Sequence, residues 1–96
     1  MSTTDLNPSL SDHDLVDRAR TGDILALNLL IIAVRKGVLR YTRARLGTYS
    51  GGAEVAEDVT QEVCLAVVKV LPRYQDNGAP FAALVYAIAS NKVTDA

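Results

Sequence analysis

The chain has 96 residues, of which 49% are apolar, and a formal net charge of −1; that is one small domain, with enough aliphatic side chains for a core and little to spare. Trp is absent and the aromatics are Tyr41, Tyr49, Tyr74, Tyr86 and Phe81, so Leu, Ile, Val and Ala must fill the interior. One cysteine, Cys64, and one histidine, His13, exclude an internal disulfide framework and a structural zinc site.

Residues 1–10 are polar, contain Pro8 and lack the basic-then-apolar order of a secretory signal. They read as a disordered arm ahead of a domain over 11–96. Ser11-Asp12-His13-Asp14 resembles a capping box, a hydroxyl three residues before a carboxylate, and starts a short helix that ends near Thr21-Gly22. Asp23 is placed to cap a second helix over Ile24 to Leu46. Its first turns, Ile24 to Val34, are apolar almost all round, so other helices or a partner must cover them. That stretch is eleven residues long and broken by Asn28, against the ~20 a membrane helix needs. The expectation is a soluble, cytoplasmic protein without membrane insertion.

Gly47 to Gly52 reads as a flexible connection. A third helix is expected from Glu54 to Leu71, with acids at its start, Lys69 and Arg73 at its end, and Val55, Val59, Val63, Ala66, Val67 and Val70 forming one buried stripe at three- and four-residue spacing. Residues 72–79 form a loop, and Pro80 suits the first position of a fourth helix. In that helix Phe81, Leu84, Val85, Ile88 and Ala89 recur at i, i+3, i+4, i+7 and i+8. It is still in progress at Asp95-Ala96, as if the chain were cut from a longer protein. The fold class is therefore all-α, a compact bundle of three main helices with a short leading one.

Charge is unevenly spread. Residues 24–53 hold Arg35, Lys36, Arg40, Arg43 and Arg45 with no acid, whereas 54–62 hold Glu54, Glu57, Asp58 and Glu62. Separate basic and acidic surfaces suit two kinds of partner, the basic one inviting a polyanion. No catalytic constellation is present. His13 sits in a capping turn, Cys64 in an apolar helix, the glycines of 47–52 lack the lysine of a phosphate loop, and the helix-starting acids serve the dipole rather than a metal. No enzyme, cofactor or metal is expected. What remains is binding. The basic end of the second helix can neutralise phosphates, and Tyr41, Tyr74, Tyr86 and Arg73 can stack on bases.

Three segments together resemble region 2 of a bacterial sigma-70-family initiation factor of the extracytoplasmic-function type, nearest its actinobacterial sigma-D subgroup. The first is Asp14-Leu15-Val16 with Thr21-Gly22-Asp23 and the long apolar-to-basic helix. The second is the acidic segment Ala56-Glu57-Asp58-Val59-Thr60-Gln61-Glu62-Val63-Cys64-Leu65. The third runs from Phe81 through Leu84, Tyr86, Ile88, Ala89 and Asn91 to Asp95. Leu84 stands where the family usually has Trp, and Ser90 where Arg or Val is frequent.

The resemblance implies transcription initiation: the acidic helix docks on the clamp helices of the RNA polymerase β′ subunit through Asp58, Gln61 and Glu62. The last helix and the loop before it read the non-template strand of the −10 promoter element. The pocket for a flipped base falls on Val70, Tyr74, Tyr86, Ile88 and Asn91, with Arg73 and Lys92 completing the DNA-binding set. An anti-sigma factor is a further implied partner. The family's second part, a −35-reading helix-turn-helix, is not in this chain, so weak promoter binding is expected without polymerase. On an ideal helix Tyr86 and Asn91 lie roughly 140° apart, so a common pocket requires the 72–80 loop to fold over the helix. The alternative is a helical protein–protein adaptor that never touches DNA.

Overall fold

Local chemistry at Asp23 fixes the start of the longest helix. With extended backbone (φ −75°, ψ 107°), its carboxylate accepts the Ala26 N–H at 3.1 Å, satisfying a donor the helix itself leaves open. The Arg18 guanidinium closes on the same carboxylate at 3.1 Å. The amide hydrogen bond first, and the guanidinium second, hold the Asp23 carboxyl below the usual carboxylate range. Gly22, at φ 108°, supplies the left-handed turn that brings Arg18 back to this cap.

The computed structural model describes residues 13–48, 50–75 and 78–95. Four α-helices follow one another: α1 (His13–Arg20), α2 (Ile24–Leu46), α3 (Gly52–Val70) and α4 (Phe81–Asp95), with a 3₁₀ turn over Leu71–Arg73 after α3. No strand occurs among the described residues, so the molecule is the all-α bundle expected. The arm over 1–10 and the Ser11 end of the capping turn lie outside the described residues.

Each helix turns one stripe inward. Leu15, Val16 and Ala19 of α1 meet Ala26, Leu30, Val34 and Val38 of α2, and Val59, Val63 and Val67 of α3 and Phe81, Val85 and Ala89 of α4 close the core. A fully buried Val or Leu side chain contributes roughly 1.5–3 kcal/mol. Cys64 is buried in this core as an aliphatic-like filler. The expected α3 stripe frays at one end, because Val55 is 40% exposed. The apolar start of α2 is covered on one side only: Ile24, Leu25, Leu29 and Ile32 remain 56–73% exposed. No helix of the described residues is long and apolar enough to cross a membrane.

The α2–α3 contact is closely fitted. The Thr42 and Thr60 hydroxyls are fully buried, 2.9 Å apart, and the Ala56 carbonyl accepts from Thr60 at 2.7 Å and from Thr42 at 3.3 Å. α3 begins two residues before Glu54, at Gly52, where a Cβ would stand 1.8 Å from the Leu46 carbonyl oxygen. Only glycine lets the start of α3 come this close to the end of α2.

Candidate nucleic-acid interface

α3 presents the acidic set. Asp58, Gln61 and Glu62 are all exposed, and their i, i+3, i+4 spacing places them on one face of the helix. Leu65, 56% exposed, continues the stripe one turn on, and Val55 precedes it. Sequence reasoning missed both apolar ends. The available signal was that Leu65 falls outside the Val59–Val63–Val67 stripe and seven residues beyond Asp58. Glu62 pairs with Lys92 of α4 at 3.7 Å. Asp58 and Gln61 make no side-chain hydrogen bond or ion pair among the described residues.

Glu57 faces another way. Its carboxylate takes Arg35 at 2.9 Å and Arg43 at 3.4 Å, so two of the five α2 cations expected to meet phosphates are engaged inside the domain. Lys36, Arg40 and Arg45 stay exposed, with no carboxylate partner among the described residues.

On α4, burial of Phe81, Val85 and Ala89 orients the rest of the helix. Helical geometry then sets half-buried Leu84 and Ile88 with Asn91 on one flank, and Tyr86 on the other. Asn91 is exposed and its amide makes no hydrogen bond among the described residues. The Tyr86 ring packs edge-on against Tyr41 of α2, centroids 5.6 Å apart, and the Arg45 guanidinium lies 4.8 Å from the Tyr41 centroid.

In the loop before α4, Tyr74 lies against that helix's first turn rather than over Asn91. Tyr74 packs edge-on against Phe81 at 5.1 Å, and its hydroxyl donates to the Ala79 carbonyl at 3.5 Å. Phe81 and Asn91 are separated by about 15 Å along an ideal helix. Val70 is half-buried at the end of α3, and Arg73 is exposed at the end of the 3₁₀ turn. Of the predicted residues, Tyr86, Ile88, Asn91 and Lys92 are thus strung along α4 and around its flanks, whereas Val70, Arg73 and Tyr74 precede it. Among them only Tyr74 lines the cleft of about 480 Å³ between α1 and the loop, with His13, Asp14, Asp17, Arg20 and Gln75.

Chemistry beyond binding finds few groups. No set of three or more His, Cys, Asp or Glu side chains is grouped for a metal among the described residues. Burial pushes the Cys64 thiol up from its ordinary pKa, away from the nucleophilic thiolate.

The family profile for Sigma-70 region 2 matches residues 30–96, from the second turn of α2 through α4. The chain belongs to the sigma-70 region 2 family. The region 2 domain is 43% identical to the ECF RNA polymerase sigma factor SigD of Mycobacterium tuberculosis, the alignment covering 98% of this chain and 47% of SigD. It is 50% identical to the ECF RNA polymerase sigma factor ShbA of Streptomyces griseus, over 84% of this chain and 43% of ShbA. The chain therefore spans about half the length of these relatives. No solved structure matches it significantly.

Proposed function

We propose that this domain is region 2 of an extracytoplasmic-function sigma factor, a non-enzymatic initiation factor that directs RNA polymerase to promoters in the cytoplasm. The α3 stripe of Asp58, Gln61 and Glu62 docks on the β′ clamp helices, and exposed Leu65 and Val55 add apolar contact to a polar grip. The loop and α4 hold the non-template strand of the −10 element open. Asn91 reads a base edge, because its amide offers a donor and an acceptor on one group. Unstacking a base costs a few kcal/mol, which aromatic contact and a read base edge offset. The observation that carries this reading is the free amide of Asn91 on a helix whose neighbour presents Asp58 and Gln61, also unengaged. The Lys92–Glu62 pair ties the two surfaces together at their edge. The exposed Ile24, Leu25, Leu29 and Ile32 give an anti-sigma factor an apolar face to cover.

The test uses the full-length factor with actinobacterial RNA polymerase core. Reversing charge at Asp58 and Glu62 abolishes pull-down of β′; retained pull-down removes α3 from the docking surface. With assembled polymerase, Asn91→Ala weakens binding of a labelled non-template −10 oligonucleotide by about tenfold, given roughly 1–3 kcal/mol for a good amide–base pairing. Binding of that oligonucleotide at wild-type strength by the variant would remove Asn91 from base reading, and no binding even by the wild-type complex would return the domain to the adaptor reading.

A further inference from the structure

Glu62 and Lys92 face each other across the seam between the acidic surface and the Asn91 surface. Glu62 ends the acidic set on α3, and Lys92 follows Asn91 on α4. The Lys92 ammonium stands 3.7 Å from a Glu62 carboxylate oxygen, beyond hydrogen-bond range. The two side chains are 39% and 60% exposed, Lys92 the less. Glu57 holds its cations closer, Arg35 at 2.9 Å and Arg43 at 3.4 Å. Val59 and Val63 of α3 already share the core with Phe81, Val85 and Ala89 of α4, so the ion pair is not what joins these helices.

A loose, water-exposed pair contributes little to the fold and exchanges partners at little cost. Its two members nevertheless belong to different ligands. A protein that takes the Glu62 carboxylate removes the counter-charge of Lys92. Lys92 lies about 100° from Asn91 around an ideal helix, and its ammonium is a point charge on a flexible four-carbon stem that can turn to a new anion. Before docking the opposite holds. Glu62 then occupies Lys92 and sets a carboxylate beside the path of a polyanion, which lowers the local attraction for phosphate. Each ligand would thus change the affinity for the other by the same factor.

We propose that Glu62 and Lys92 form a partner-exchange contact that couples polymerase docking to strand binding. Polymerase core draws off the Glu62 carboxylate, and the released Lys92 ammonium binds a backbone phosphate of the single strand at Asn91. This exchange rests on the docking and promoter reading above, and makes Lys92 a strand contact only in the polymerase complex.

The test uses the full-length factor, polymerase core and the labelled non-template −10 oligonucleotide, with Lys92→Met as the variant. Methionine keeps an apolar stem in the half-buried position and removes the charge. Without DNA, Lys92→Met is expected to bind core about threefold more tightly than wild type, on the scale of an exposed ion pair, because Glu62 then has no partner to leave. Once assembled on core, the same variant is expected to bind the oligonucleotide about threefold more weakly. Its log–log salt slope should also be shallower by about 0.7, the contribution of one phosphate in a single strand. A fixed phosphate contact would give the DNA effects and leave core binding unchanged. Core binding at or below wild-type strength therefore overturns the exchange, and so does an unchanged oligonucleotide affinity and salt slope. In either case weakened binding in Asn91→Ala leaves the promoter reading in place. If the wild-type complex binds no oligonucleotide, that reading falls and the exchange falls with it.

Discussion

The α2–α3 contact and the outer surface of α4 divide the molecule's polar groups in opposite ways. Between α2 and α3, the buried hydroxyls of Thr42 and Thr60 satisfy each other and the Ala56 carbonyl, and Glu57 holds Arg35 and Arg43 across the helix pair. On α4, the Asn91 amide is engaged by nothing among the described residues, and Lys92 reaches Glu62 only at 3.7 Å, both side chains well exposed. A polar group satisfied inside the fold stabilises it and is spent; one left open costs little in water and stays available to a ligand. The comparison therefore separates residues that hold the scaffold from residues that hold something else.

The largest expected effect comes from breaking the closest approach in the scaffold. In Gly52→Ala the new methyl lies 1.8 Å from a backbone oxygen of Leu46. No side chain can rotate out of the way, so α3 must retreat from α2 and disturb the Thr42–Thr60 contact. The cost belongs at or above the upper end of the ~1–3 kcal/mol typical of overpacking. Urea denaturation should show either that loss or no cooperative transition. A wild-type midpoint would mean that the helix pair has slack which the geometry does not suggest.

A smaller effect is expected at the hydroxyl pair itself. Thr42→Val removes one hydroxyl and leaves Thr60 still donating to Ala56 at 2.7 Å, so about 1 kcal/mol is lost. Replacing both Thr42 and Thr60 with Val removes the need for any partner and should cost less than the sum of the two single changes. A double-mutant cycle in urea reads that coupling directly. Strict additivity would show that the two hydroxyls are not one unit.

What the sequence made legible follows the same division. The Asp23 cap and the span of α2 from Ile24 to Leu46 were readable because capping and periodicity act over three or four residues. The early start of α3 at Gly52 was not, since a glycine there makes sense only once Leu46 is known to lie against it. The commitment of Arg35 and Arg43 to Glu57 joins residues 22 and 14 positions apart, and a run of charges does not reveal such pairing. Likewise the aromatics could be named as half-buried stacking candidates, whereas the pairing of Tyr41 with Tyr86, and of Tyr74 with Phe81, depends on which helix ends meet. The acidic set on α3 and Asn91 on α4 were legible as residues from the family resemblance, whereas their exposure, the pairing of Glu62 with Lys92 and the open polar atoms of Asp58, Gln61 and Asn91 among the described residues came from the fold.

Asn91 gives the comparison its smallest expected effect and its sharpest edge. Its side chain is exposed, touches no hydrogen-bond partner among the described residues, and lies off the Phe81–Val85–Ala89 stripe that anchors α4. Asn91→Ala removes no packing, and alanine is a somewhat better helix former than asparagine, so stability should stay within about 0.5 kcal/mol of wild type or rise slightly. Thermal unfolding followed by circular dichroism measures this on the same preparation used for oligonucleotide binding. A clear fall in stability would mean that the amide supports α4, and any binding defect would then report a loosened helix rather than a lost base contact. Unchanged stability joined to lost binding would place Asn91 among the residues that serve the ligand alone.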